Sequence, residues 1–342
     1  MKVYKLDDIS ELAYATSVTV GMFDGVHIGH RHILQRLREV SAEMGLRAVV
    51  VTFDCHPRQV LNAESASSFR VNTNEERYRL LENCGVEEVV EVHFARSTAR
   101  LSACEFFEEV LLRRLHCKAL VLGYDNMFGS RQHNDFDRLP ALAASHGVRV
   151  VVDTPLSVDG VEVSSTQVRK ALQRGDVRYA AMLLGYNYRL WGTVVKGRQV
   201  GRTLGFPTAN VCLDDSTKVV PAAGVYAVKV IGVERGSVGM EDRLSEEAVR
   251  MAGGRIKKSA TRDSQFPKWG LANFGGQPTF GLEKTVFEVN VFDYDGDLYG
   301  SELMVEFVDR IRDVCRFEGV EHLVRQLEDD RRTAMRIMNV GG

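Results

Sequence analysis

Ser17-Val-Thr-Val-Gly-Met-Phe-Asp-Gly-Val-His-Ile-Gly-His30 decides the reading of the first half of the chain. Ser17–Val20 has the β-branched character of a buried strand, Gly21–Gly25 reads as a tight turn, and a helix begins near Ile28–Gly29. Strand, turn and helix in that order open a parallel α/β sheet, whose ligands gather at the carboxyl ends of the strands.

The same grammar continues to about residue 185. Further strands are expected at Ala48–Phe53, Glu88–His93, Ala119–Leu122 and Val148–Val152, with little polar alternation, as suits a sheet covered on both faces. Thr73-Asn-Glu-Glu76 and Ser102-Ala-Cys-Glu105 are capping boxes that start intervening helices. Gly45, Gly85, Gly147, Gly175 and Gly185 stand where left-handed caps would end them. The expectation is a Rossmann-like α/β domain over 1–185, a parallel sheet with helices on both faces and right-handed crossovers.

From about Tyr186 the pattern changes. Trp191–Val195, Gly224–Ile231, Trp269–Phe274, Val286–Tyr294 and Leu303–Val308 read as strands separated by Gly, Pro and Asp turns, with clear alternation in Val286-Phe-Glu-Val-Asn-Val-Phe. This predicts an antiparallel β-barrel or sandwich over 186–342, closed by an amphipathic helix from about Glu321 to Met338. A charged insertion, about 233–268, contains a helix-like piece, Glu241–Met251, and reads as an excursion from the barrel.

A length of 342 residues agrees with two domains. The net charge of −2 provides no global attraction to nucleic acid or anionic membrane. No apolar run approaches the roughly 18 residues that span a bilayer, and acids stand where a signal peptide would have its apolar region. The six cysteines (Cys55, Cys84, Cys104, Cys117, Cys212 and Cys315) are scattered, so buried free thiols are expected rather than a zinc site or disulfide framework. A cytoplasmic location without nucleic-acid or membrane partners follows as an expectation; the oligomeric state is not legible.

His27 and His30, three residues apart at a helix start, face one side. The free amides and dipole there favour phosphate, and two imidazoles add donors that follow charge as it builds on a transferring phosphate. Gly25 and Gly29 permit close approach of backbone and nucleotide. A zinc reading of His27, His30 and His32 lacks a nearby carboxylate or thiolate. Ser164-Ser-Thr-Gln-Val-Arg169 starts the last helix of this half: Ser164, Ser165 and Thr166 can cap it or receive phosphate oxygens, and Arg169 supplies a fork of donors. Taken alone, each segment is equally a capped surface helix.

Together, G-x-F-D-G-x-H-x-G-H and S-S-T-x-x-R resemble the nucleotidyltransferase half of the bifunctional bacterial riboflavin kinase/FAD synthetase family. His-Ile-Gly-His is also a word of class I aminoacyl-tRNA synthetases, but a KMSKS-like loop and anticodon-binding mass are missing. The resemblance extends to Thr52-Phe-Asp-Cys-His-Pro-Arg58 and Gly123-Tyr-Asp-Asn-Met-Phe-Gly129. It implies that Gly21, Phe23, Asp24 and Gly25 belong to the ATP site, with Asp24 organising the turn. Arg58, Asp125 and Phe128 would bind flavin. Cys55 departs from the family's usual proline, and Asn126 from its usual aromatic residue.

In the second half, Lys196-Gly-Arg-Gln-Val-Gly-Arg-Thr-Leu-Gly-Phe-Pro-Thr-Ala-Asn210 is a glycine-rich basic loop that can cradle phosphate through Gly197, Gly201, Arg202, Gly205 and Pro207, or serve simply as a flexible hairpin. The Thr208 hydroxyl and the Asn210 amide offer hard oxygens for Mg²⁺. G-F-P-T-A-N resembles the riboflavin kinase signature, followed in order by Ala272-Asn-Phe-Gly-Gly-Gln-Pro-Thr279, Phe287-Glu-Val-Asn290 and Asp297-Leu-Tyr-Gly300. The resemblance implies flavin contacts at Asn273 and Tyr299. Gln277 replaces the family's usual arginine and is given no catalytic role.

Phosphorylating a ribityl hydroxyl needs a general base. Glu288, which breaks the apolar alternation of its strand, is the candidate and stands at the family's base position. Adenylylating FMN needs none, because a phosphate is already the nucleophile. The expectation is a bifunctional transferase making FMN from riboflavin and ATP, then FAD and pyrophosphate from FMN and ATP. The alternatives are retention of the kinase alone, or a non-catalytic flavin-binding regulator.

Overall fold

The computed structural model describes residues 1–55, 69–124, 128–129, 135–197, 201, 204–233, 266–277 and 282–340. Its chain contacts divide it into two compact units, Met1–Ser165 and Thr166–Gly342.

The first unit is built on strands β1 (Lys2–Lys5), β2 (Thr16–Val20), β3 (Arg47–Phe53), β4 (Glu88–Val92), β5 (Cys117–Leu122) and β6 (Arg149–Val152). They run parallel in the order β1-β4-β3-β2-β5-β6, so β2 lies inside the sheet. All five β2 residues are buried. Val18 and Val20 pack into one layer with Leu120 and Phe107, each worth about 1.5–3 kcal/mol of apolar burial. On the other face Ser17 meets Ser41 of helix α1 (Ile28–Met44).

Both capping boxes form, at Thr73 before α2 (Asn74–Asn83) and at Ser102 before α3 (Ala103–Phe106, continuing as a π-helical stretch Phe107–Leu112). The unit is completed by α4 (Leu139–Ser145) and a small hairpin, β7 (Ser157–Val158) with β8 (Val161–Glu162). Gly45 ends α1 in the left-handed region at φ 65°.

Strand β1 is absent from the sequence expectation. Its lysines disguise it as a polar tail, yet they fall opposite Glu88 and Glu91 of β4, so the pairing is charge-complementary.

The second unit opens with α5 (Ser165–Gln173, whose first residue is the last of unit one) and α6 (Val177–Leu184), before the change of pattern at Tyr186. Both dock on the barrel: Ala222 N donates to Leu172 O at 3.0 Å, and Arg178 pairs with Asp309 at 3.7 Å.

The barrel consists of β9 (Arg189–Val195), β10 (Ala209–Leu213), β11 (Gly224–Val233), β12 (Lys268–Gln277), β13 (Leu282–Val291) and β14 (Glu302–Arg312). It closes in the antiparallel order β10-β13-β12-β11-β14-β9. Tyr226 and Phe307 fill it edge-on, with ring centroids 5.3 Å apart. Outside, helix α7 (Val320–Val340) buries Ala334 against Val225, Ala227 and Leu271.

The sequence expectation lacks β10, because Thr-Ala-Asn reads as loop; it becomes a strand by pairing with β9 and β13. The helix-like piece Glu241–Met251, and the insertion from 234 to 265, lie outside the described residues. The cysteines correct another expectation: Cys117 is buried, but Cys212 and Cys315 are exposed.

Candidate active sites

At the carboxyl end of β2 the chain leaves through Gly21, whose amide donates to Val51 O at 3.0 Å. His27 is the N-cap of α1, and its Nδ1 accepts from His30 N at 3.2 Å. In a neutral ring that leaves the proton on Nε2. The His27 and His30 rings stack at 3.6 Å and 17°. Gly29 relieves this packing, since a Cβ there would stand a tight 3.2 Å from His27 Nδ1.

His30 keeps a partly exposed surface, yet its Nδ1 is buried and has no hydrogen-bond partner among the described residues. Burial, and then the neighbouring His27, push its pKa well below the usual imidazole value. His30 is therefore a neutral imidazole at physiological pH, with a ring nitrogen waiting for a partner.

Phe23 is 1% exposed and its ring lies 5.1 Å from that of His30, so it supports the imidazole from within the core. Asp24 is likewise buried, and its Oδ1 accepts from Val71 N (2.9 Å) and Asn72 N (3.2 Å). The Ser165 hydroxyl donates to Asp24 O at 2.8 Å. Asp24 and Ser165 thus brace the turn, with Gly25 at its left-handed corner (φ 88°). Ser164 precedes the helix; Thr166 and Arg169 follow on α5, Thr166 exposed and Arg169 half-buried, both assigned to the second unit.

Arg58 and Asp125 lie outside the described residues. Phe128 is 7% exposed, in ring contact with Phe106 (5.5 Å) and Phe136 (5.6 Å). It anchors its loop in the core. Asp135 pins the far end of that loop by accepting from Ala103 N (3.1 Å) and Cys104 N (3.2 Å). Burial opposes its charge, but donation from Ser102, Cys104 and Ala103 holds the carboxyl down to about 2. Cys55, in place of proline, gains a thiol donor that reaches Phe94 O at 3.6 Å. Burial and Asp54 push that thiol up to about 11, so it stays protonated and unreactive.

One buried group escaped the sequence reading. Arg77 of α2 is 3% exposed and donates to Met22 O (3.2 Å) and Phe53 O (2.8 Å) at the ends of β2 and β3. Its signal was position: it stands four residues before the buried Leu81, on the inward stripe of the helix.

In the barrel, strand register assembles the second constellation. Glu288 of β13 is opposite Asn210 of β10 on one side and Asn273 of β12 on the other. Directly opposed residues share a face, so the three side chains form a row across three adjacent strands. The glycine loop closes on this row: a Cβ on Gly197 would stand 2.0 Å from Asn210 Nδ2, and one on Gly201 would stand 2.3 Å from Phe206 O and 3.1 Å from Thr208 Oγ1. Gly205 makes its turn at φ 78°.

The alternate face of the same strands, bearing Ala209, Val289 and Val291, walls a cavity of about 620 Å³. Pro207, Thr208 and Tyr299 also line it. Tyr299 thus shares this cavity with the loop residues Pro207 and Thr208. Asn290 Nδ2 ties the two faces by donating to Pro207 O at 2.7 Å. Arg202 lies outside the described residues, and Gln277 is described only as a backbone position of β12.

The two halves match two known families separately. A family model described as FAD synthetase matches residues 9–167, and one described as riboflavin kinase matches residues 184–338. The chain is 33% identical to the bifunctional riboflavin kinase/FMN adenylyltransferase of Haemophilus influenzae, over 98% of both chains. It is 31% identical to the Bacillus subtilis protein of the same name, covering 96% of this chain and 94% of that one. A crystal structure described as a macrolide-efflux protein from Streptococcus pneumoniae matches with a TM-score of 0.77 and 31% identity, covering 98% of this chain and 99% of that one. Among the described residues of the present chain no helix is long and apolar enough to cross a membrane. A parallel sheet with paired histidines at its central turn, and a closed barrel with an Asn-Glu-Asn row, thus occur in one chain, and that chain belongs to the family of bifunctional riboflavin kinase/FMN adenylyltransferases.

Proposed function

We propose that the chain phosphorylates riboflavin to FMN in its barrel and transfers AMP to FMN at the His27–His30 turn, giving FAD and pyrophosphate. Both enzyme domains are present. The observation that carries the division of labour is the cross-strand row of Asn210, Glu288 and Asn273, because a carboxylate base is what the first reaction needs and the second does not.

In phosphorylation, Glu288 accepts the ribityl hydroxyl proton as the oxygen attacks the γ-phosphorus, and ADP leaves. Asn273 would orient the flavin. The cavity walled by Val289, Val291, Pro207 and Tyr299 is of the size of a nucleoside pocket, with Thr208, Asp295 and Asp297 adding polar groups to its apolar wall. Gly197 lies against Asn210 and Gly201 against Thr208, so the phosphates would run along the loop from cavity to row. The donors suit Mg²⁺. Thr208 and Asn210 are hard oxygen ligands, and no group of three or more His, Cys, Asp or Glu that could hold a metal occurs among the described residues. That suits a cation held largely by nucleotide phosphates. When bound, it would neutralise phosphate charge.

In adenylyl transfer, an FMN phosphate oxygen attacks the α-phosphorus and the bond to pyrophosphate breaks. The amides at the start of α1 and the imidazoles of His27 and His30 donate to the charge that develops. Ser164 and Ser165 would hold the remaining oxygens. ATP as a shared substrate supports a cytoplasmic location.

Incubation with riboflavin, ATP and Mg²⁺, resolving FMN from FAD, tests the reading. Both products are expected; FMN alone would reduce the chain to a kinase, and neither would refute it.

A further inference from the structure

The turn that carries the histidines is strained. Phe23 (φ 48°) and Val26 (φ 34°) both occupy the left-handed region, where a β-branched residue is a true outlier. Such a conformation persists only where its surroundings over-determine it. Val26 N donates to Phe23 O at 3.1 Å, Arg31 Nε to Val26 O at 3.3 Å and Ser165 Oγ to Asp24 O at 2.8 Å. The Asp24 carboxylate holds the amides of Val71 and Asn72.

Arg77 is a further fastener, sharing Met22 O with the Thr52 hydroxyl, which donates to it at 3.4 Å, and it works from inside the core. Its two terminal nitrogens donate to Met22 O and Phe53 O, so one guanidinium ties the end of β2 to the end of β3 immediately before the strained residues. Its Nε has no hydrogen-bond partner among the described residues. Burial lowers its pKa to about 10, with Arg70 adding to the effect and Asp24, Glu91 and Asp54 opposing it. A leucine, as at Leu81 one turn on, would fill the space without desolvating a charge. Only a planar fork of donors can span two carbonyls on two strands.

We propose that Arg77 is a positioning residue for adenylyl transfer. By fixing Met22 O relative to Phe53 O it sets the strained turn, and through Phe23 and the His27 cap it sets the stacked imidazoles. The proposal rests on the reading that this turn serves AMP transfer.

The test uses the full chain with Arg77→Met and Arg77→Lys, and three readouts: FMN adenylylation, riboflavin phosphorylation, and the NMR titration of His30. Arg77→Met is expected to lower kcat for adenylylation by about tenfold or more, with KM for ATP and FMN changed by less than about threefold. Phosphorylation should stay within about twofold. His30, which faces His27 and the Phe23 ring, should titrate closer to 6.5, because a loosened turn admits water. Arg77→Lys, able to reach one carbonyl at a time, should fall between. Adenylylation within about twofold of the parent, or a His30 titration that does not move in the folded variant, would overturn the proposal. If Arg77→Met fails to fold, the lysine variant decides by the same readouts. Failure of the parent to make FAD would refute the AMP-transfer reading instead, while the His30 titration would still judge the positioning claim.

Discussion

His30 shows how one buried imidazole links stability to pH. Its folded pKa lies below the unfolded value of 6.5, so between the two values the unfolded chain binds a proton that the folded one refuses. The stability it contributes is full above 6.5 and is lost as pH falls from there towards the folded value. In urea titrations, His30→Gln is therefore expected to flatten the pH dependence of unfolding as pH falls below 6.5. At the same scale, Glu288→Gln should abolish FMN formation from riboflavin while FAD still forms from supplied FMN, and His30→Ala should do the reverse. Equal loss of both activities in either variant would refute separate sites. Both residues were legible because their settings are local: a strand–turn–helix for one, a break in alternation for the other. Arg77 was not, since its burial arises from where α2 lands on the sheet.

At the scale of elements, the glycines of the barrel loop separate two kinds of requirement. A Cβ on Gly197 would overlap the Asn210 amide at 2.0 Å, whereas Gly205 has φ 78° and nothing within 4 Å of its Cβ position. Gly197→Ala should therefore cost kinase turnover about tenfold or more, and Gly205→Ala only about 1 kcal/mol of stability. Steady-state kinetics and denaturant melts distinguish them. The capping box of α2 carries a similar expectation: Thr73→Ala removes the acceptor for Glu76 N and should cost about 1 kcal/mol. Caps and turns were read correctly from sequence because they are spelled by neighbouring residues. Strands β1 and β10 were missed because partners, rather than their own composition, make them strands.

Across the whole molecule, a buried ion pair helps hold the closed barrel to its final helix, beside the apolar contacts of Ala334 and the Arg331–Asp293 pair. Arg312 Nε and Nη2 both reach Asp330, at 2.7–3.0 Å, and Gln326 Nε2 adds a third donor at 2.9 Å. Asp330 is 1% exposed. Asp330→Ala strands the guanidinium and should destabilise the second unit by about 3 kcal/mol, measured by thermal or urea unfolding.

Closure of the barrel also settles where the protein is vulnerable to self-association. A ring of strands has no free margin, so among the described sheets of any length only the parallel one offers edges, β1 and β6. The β1 margin is guarded by Lys2 and Lys5, a charge pattern that discourages a stray chain from adding on. Removing the first five residues would uncover Glu88–Val92, a strand whose Val89, Val90 and Val92 are buried. The four-residue edge that looked like a polar tail is thus a gatekeeper against aggregation.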